Sequence, residues 1–212
     1  MIKDAIKRII TNEILKATIK KYGLYFLPAA VSNRHIHLSK EDKEKLFGRG
    51  YQLRPIKELS QPGQYACEER VTIIGKKGTI ENVRVLGPER KETQLEVSVS
   101  DCYTLGIKPV IRMSGDLDNT PGITIEGPKG RVELQKGVVV AARHLHISEE
   151  EAKLYGLKDG DVIRVKKSGI RETIFGNVLV RSGSGHRLEL HFDIEEANAA
   201  GIKNGDLLLI EK

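Results

Sequence analysis

The 212-residue chain has no tryptophan, and aromatic residues make up 5% of it, so large aromatic anchors contribute little to its core. Its two cysteines, Cys67 and Cys102, are too few for a disulfide framework, and a reducing cytoplasmic setting is the expectation. No apolar run reaches the roughly 18 residues that a membrane-spanning helix needs, which argues against a membrane partner. Met1–Tyr22 mixes Lys and Arg with Asp4 and Glu13 and has no uninterrupted apolar segment, so it does not read as a secretory signal. No basic block is interleaved with aromatics, which argues against nucleic acid. The excess of 35 basic over 29 acidic residues is modest and spread along the chain. It serves solubility or a ligand carrying several phosphates.

What the chain does have is a doubled histidine motif. Val31–Ser39 reads V-S-N-R-H-I-H-L-S and Val140–Ser148 reads V-A-A-R-H-L-H-I-S, which takes four of the six histidines. On a β-strand side chains alternate faces, so His35 and His37 project together, as do His144 and His146. Each copy then continues as a Ser-led acidic helix ending in Leu-aromatic-Gly: S-K-E-D-K-E-K-L-F-G after the first, S-E-E-E-A-K-L-Y-G after the second. Further on, Leu95-Glu96-Val97 precedes Gly106-Ile107-Lys108 as Leu190-His191-Phe192 precedes Gly201-Ile202-Lys203. Anchored there, Glu96 stands opposite His191. The offset between copies is 109 residues at the histidines and 95 at this end, so the first copy carries about 14 extra residues.

The pattern predicts a mainly β protein with short helices: two homologous small β-barrels from the repeat, plus an N-terminal amphipathic helix. Helix and linker would occupy 1–27, the first barrel 28–118 and the second 119–212, with strands open to exchange between barrels. Strands are predicted at 31–38, 71–75, 79–85, 94–99, 123–126, 131–134, 138–146, 161–166, 173–180, 187–192 and 206–210. Short helices are predicted at 40–47, 149–155 and 194–200, each opening on Ser or Asp. Ile2, Ile6, Ile9, Ile10, Ile14 and Ile19 recur at helical spacing. They predict a helix over 1–22 that docks on the body or on a second copy, or else acts as a detachable recruiting segment. Only about eight residues (23–30) follow before the first strand, which favours docking.

Two histidines on one strand face and a third donor from an adjacent strand make a three-ligand site with an open position, the layout of a catalytic zinc centre. The first copy offers His35, His37 and Glu96; the second offers His144, His146 and His191. These donors suit Zn²⁺, Co²⁺ or Fe²⁺. Arg90, six residues before Glu96, supplies a fork suited to phosphate or carboxylate. Ser114, beside Gly115, offers a hydroxyl and a neighbouring backbone N–H to an oxyanion. His186, in S-G-S-G-H-R, reads as a surface loop residue.

The paired Arg-His-x-His-x-Ser elements, the run G-P-x-R-x-x-T-Q-x-E and the run R-M-S-G-D with a following Pro-Gly resemble the Pdu-type phosphotransacylases, or phosphate propanoyltransferases. The resemblance covers about residues 28–212. It implies an acyltransferase of two β-barrels, with two zinc ions at an active site between them. One zinc would be held by His35, His37 and Glu96, the other by His144, His146 and His191. It implies phosphate on Arg90, the residue also named as catalytic, and on Ser114. It implies coenzyme A on Ser32, Lys57, Arg84, Leu86, His191 and Asn198. The reaction implied is acyl-CoA plus phosphate giving acyl phosphate plus CoA, with propanoyl-CoA or acetyl-CoA as substrate, by direct attack in a ternary complex. A dinuclear zinc hydrolase of thioesters or phosphoesters is the alternative. The family also implies a free cytoplasmic or microcompartment-enclosed setting, with residues 1–22 as the segment for a shell or cargo contact. A homo-oligomer remains open.

Overall fold

The computed structural model describes residues 2–211, without the side chains of residues 2–5, 7 and 8, so Ile2 lies outside the described side chains. In chain order the elements begin with helix α1 (Ile2–Tyr22), strands β1 (Phe26–Ser32) and β2 (His35–Ser39), and helix α2 (Lys40–Phe47). Then come β3 (Pro55–Glu58), β4 (Tyr65–Ile74), β5 (Thr79–Arg90), β6 (Gln94–Glu96), α3 (Val99–Leu105) and β7 (Ile111–Arg112). They are followed by β8 (Ile123–Glu126), β9 (Arg131–Leu134), β10 (Val138–Ala141), β11 (His144–Ile147) and α4 (Glu149–Tyr155). The chain closes with β12 (Val162–Lys167), β13 (Thr173–Ser182), β14 (Glu189–Asp193), α5 (Ile194–Ala200) and β15 (Leu207–Glu211).

The protein is mostly β, as the alternating pattern implied. Six strands close into a barrel in the order β1-β14-β11-β13-β12-β15. The other nine form an open sheet, β7-β10-β6-β2-β5-β4-β8-β9, with β3 on the side of β4. Of the two expected barrels, then, one closes fully and the other is a half-barrel. Two compact units result: residues 1–31, 143–191 and 197–212, which hold the closed barrel, and residues 32–142 with 192–196, which hold the open sheet.

The repeat predicts a boundary at 118/119, and by contacts the chain changes compact unit within each histidine motif and again on either side of 192–196. The single strand predicted at 31–38 is two strands broken at Asn33-Arg34, and the one predicted at 138–146 is two broken at Ala142-Arg143. β1 joins the closed barrel by pairing with β15, whereas β2 pairs with β5 and β6 in the open sheet. β10 pairs with β6 and β7, whereas β11 pairs with β13 and β14. The first repeat thus gives β1 to the closed barrel, and the second gives β8, β9 and β10 to the open sheet.

The open sheet buries Ile36, Leu38, Val71, Ile73, Val83, Val85, Leu95 and Ile125 in one core. Alternation leaves His35 and His37 on the opposite face of β2. Helix starts follow the predicted chemistry. Ser39 Oγ accepts from Asp42 N at 3.1 Å, Ser148 makes a reciprocal capping box with Glu151, and Asp193 Oδ1 accepts from Glu195 N at 2.8 Å and Glu196 N at 2.7 Å. Helix α3 was not anticipated, although Ser98 and Asp101 form a capping box over it. Most of the described isoleucine row of α1 stays outside this chain's own core. Ile6, Ile9, Ile10 and Ile14 are 51–65% exposed, and Leu15 instead is buried, at 3%.

Candidate active site

In the open sheet, antiparallel pairing sets His35 beside Glu96 and His37 beside Gln94, while parallel pairing sets His35 beside Arg84 and His37 beside Leu86. Residues in lateral register share a face, so the site is assembled by the strand alternation itself. His35 Nε2 lies 3.5 Å from Glu96 Oε2. His35 Nδ1 donates to the Asn33 carbonyl at 2.8 Å, which fixes the tautomer and leaves Nε2 for other partners. One candidate ligand atom from each of His35, His37 and Glu96 falls within 4.8 Å of the others.

The carboxylate, the imidazoles and the guanidinium shift one another's protonation. Burial raises the pKa of Glu96, but His35, His37 and Arg90 together outweigh it and hold the carboxyl well below its usual range. Burial disfavours charge on His35, yet the neighbouring Glu96 carboxylate and the Asn33 carbonyl more than offset this and hold its pKa up. His37 is pushed down to about 3 by burial and by the Arg90 guanidinium. It is therefore neutral near pH 7, the form that ligates a metal. Its Nδ1 is buried without a hydrogen-bond partner.

Two further polar side chains, Arg90 and Ser114, adjoin these donors. Arg90, at the end of β5, reaches His37 Nε2 at 2.8 Å and donates to Ser114 Oγ at 3.0 Å. Gly87 lies three residues earlier. It pairs with Tyr65, whose ring stands 2.2 Å from where a Cβ would be, so any larger residue here would displace the ring. Lys43 is buried on α2 and holds Glu89, next to Arg90, at 2.5 Å.

The closed barrel builds the matching cluster in the same way. β11 pairs with β14 so that His144 faces His191 and His146 faces Glu189. His144 Nε2 and His146 Nε2 are 3.1 Å apart, and His191 Nε2 is 2.8 Å from Glu189 Oε2. His144, His146 and His191 again bring one ligand atom each within 4.8 Å. Burial, then the charges of His144 and His191, push His146 down to about 2, and its buried Nδ1 has no hydrogen-bond partner. The loop residue His186 is closer to the cluster than its sequence context implied, its ring centroid 4.4 Å from that of His146.

The other candidates are placed less uniformly. Arg84 and Leu86 lie in lateral register with His35 and His37, and Arg84 donates to the Cys67 carbonyl at 2.8 Å. Lys57 is exposed on β3 and pairs with Ala66, which pairs in turn with Leu86. That puts it in the lateral row of His37 but three strands away, roughly 14 Å at the usual strand spacing. Ser32 Oγ is 3.4 Å from His35 Nδ1. Asn198 is exposed on α5 in the unit that holds the closed barrel. Two residues that sequence reasoning did not single out, Gln94 and Glu189, touch the ligand candidates. The 95-residue offset relates them to each other, a signal already present in the repeat. Of the two repeated arginines, Arg34 makes a two-bond fork to Asp101 (3.0 and 2.8 Å), and Arg143 donates to the Gly176 carbonyl at 2.9 Å.

Comparison with known proteins agrees over most of the chain. A family profile described as "Phosphate propanoyltransferase" matches residues 28–203. A protein of that name from Thermotoga maritima is 52% identical over 190 residues, 89% of each chain. One from Sebaldella termitidis is 48% identical over 181 residues, 85% of each chain. One from Rhodobacter capsulatus is 53% identical over 156 residues, 74% of this chain and 73% of its own.

Proposed function

Because the chain belongs to the phosphate propanoyltransferase family, whose members are acyltransferases, we propose that it interconverts an acyl-CoA and phosphate with acyl phosphate and CoA, with propanoyl-CoA or acetyl-CoA as the substrate. The observation that carries this reading is the linkage of Arg90 to both Ser114 and His37 beside a three-donor metal group. A site for a small oxyanion adjoins a site for a divalent cation.

His35, His37 and Glu96 would hold one zinc ion, and His144, His146 and His191 a second. Bound there, zinc supplies Lewis acidity toward a thioester carbonyl or a thiolate sulfur. The reaction itself is a displacement: a phosphate oxygen attacks the thioester carbon, a C–O bond forms, the C–S bond breaks, and CoA leaves as thiolate. Arg90 and Ser114 bind phosphate. Their role is to fix the attacking oxygen and to offset the repulsion between two anionic reactants. Arg84, Leu86 and Lys57 would contact CoA from the lateral rows that run through the histidines, with Ser32, His191 and Asn198 as further contacts. No protein nucleophile is needed, so direct attack in a ternary complex is the economical route. Residues 1–22, with their exposed isoleucines, are the candidate segment for a second copy of the chain or for a microcompartment shell or cargo contact.

Release of free thiol from propanoyl-CoA tests the reading. It should rise and saturate with phosphate and should be lost in Arg90→Ala. Thiol release that ignores phosphate would instead mark a zinc hydrolase.

A further inference from the structure

Gln94 is 1% exposed, opens β6, and spends its amide on three partners of different kinds. Its Nε2 donates to Glu96 Oε1 at 2.7 Å and to Ser114 Oγ at 2.9 Å. Its Oε1 accepts from the backbone N–H of Gly115 at 2.8 Å. Two donors and one acceptor are what an amide offers and a carboxylate does not.

Each contact has a chemical consequence. With Oε1 of Glu96 occupied, the other carboxylate oxygen, Oε2, is the one directed toward His35. Ser114 Oγ receives hydrogen bonds from both Gln94 and Arg90. A hydroxyl oxygen has two lone pairs, so both are taken and its own hydrogen is left to donate elsewhere. The Gly115 contact pins the turn that carries Ser114. We infer that Gln94 is a positioning residue that ties the cation-binding carboxylate to the anion-binding pair, aiming Glu96 Oε2 inward and turning Ser114 into a hydrogen-bond donor for phosphate. The phosphate half of this inference rests on the proposed function.

The second copy of the repeat supports it independently. The residue equivalent to Gln94 is Glu189, and its neighbour two positions on is His191 rather than a carboxylate. Glu189 Oε2 is 2.8 Å from His191 Nε2. In both copies this position carries the hydrogen-bonding complement of the candidate ligand beside it: an amide donor facing a carboxylate, a carboxylate facing an imidazole. Such outer partners orient metal ligands and tune their affinity.

Two variants of the zinc-loaded protein test the inference through two readouts, zinc loss to a chelator and steady-state kinetics. Gln94→Met keeps the side-chain length and removes all three hydrogen bonds. It should speed zinc loss from one of the two sites by about tenfold or more. It should also raise the KM for phosphate by about tenfold while leaving the KM for propanoyl-CoA within about twofold. Gln94→Glu separates the two halves. Its carboxylate draws the Ser114 hydrogen inward, so the phosphate KM again rises, yet the added negative charge holds zinc at least as tightly as in the parent. In Gln94→Glu a merely structural role would worsen both readouts together, and that result, or unchanged values in Gln94→Met, overturns the inference. Zinc loss is read without turnover. If the parent protein showed no phosphate dependence while Gln94→Met still shed zinc faster, the proposed function would fail and the link from Gln94 to Glu96 would stand.

Discussion

The ion pair between Lys43 and Glu89, the residue before Arg90, is asymmetric, and its two halves should fail unequally. Lys43 lies on α2 with its side chain 3% exposed, and its Nζ is 2.5 Å from Oε1 of Glu89, whose side chain is 34% exposed. Removing Glu89 strands an ammonium group where water cannot reach it, for which breaking a buried pair costs about 3–5 kcal/mol. Removing Lys43 by substitution with Met leaves an apolar side chain of similar length beside Leu46 and Phe47. The remaining carboxylate can turn to solvent, so the cost is that of a partly exposed pair, about 1 kcal/mol or less. Glu89→Ala should therefore lower the urea-unfolding free energy by roughly 2–4 kcal/mol more than Lys43→Met does. The assay is urea unfolding at pH 7, comparing midpoints at constant denaturant slope. Because Glu89 precedes Arg90 in β5, the same Glu89→Ala protein should also bind phosphate more weakly. Equal destabilisation by the two substitutions would refute the argument that the burial of Lys43 sets the cost.

Two further outcomes follow from burial. Cys67 and Cys102 are 0% and 1% exposed, and burial pushes both thiols up to about 11. Both are thus protonated at pH 8, and a thiol reagent should label neither in the native protein but both in denaturant. In α1, Leu15→Ala should cost about 2 kcal/mol or more because Leu15 is buried, whereas Ile9→Ser and Ile10→Ser should each stay within about 0.5 kcal/mol by the same urea assay.

Much of this architecture was legible because β-alternation and helix caps are local. The helices at 40–47, 149–155 and 194–200 announce themselves through Ser39, Ser148 and Asp193, and most strands through period-two hydrophobicity. Helix α3 is hidden because Val97 and Val99 prolong the strand pattern of 94–99 across its N-cap, Ser98. The strand breaks at Asn33-Arg34 and Ala142-Arg143 were also invisible. Both halves of each motif are strand-like, and only long-range pairing decides which sheet each half joins. In α1 the isoleucine spacing tells which residues share a face and not whether the body or a second copy covers it. The three-donor groupings were readable because His-x-His strands and a repeat offset specify which side chains share a face. Gln94 and Glu189 were not singled out, since an amide or a carboxylate gains meaning only once its neighbours are placed. The separation of Lys57 from the histidines depends on sheet order, which sequence does not carry.

The proposal that these clusters serve transfer to phosphate, rather than to water, is decided by the product. Phosphorus NMR of the zinc-loaded protein incubated with propanoyl-CoA and inorganic phosphate should show an acyl phosphate resonance growing as free phosphate declines. Arg90→Ala should give none. Conversion of propanoyl-CoA to propanoate with the inorganic phosphate signal unchanged would contradict it.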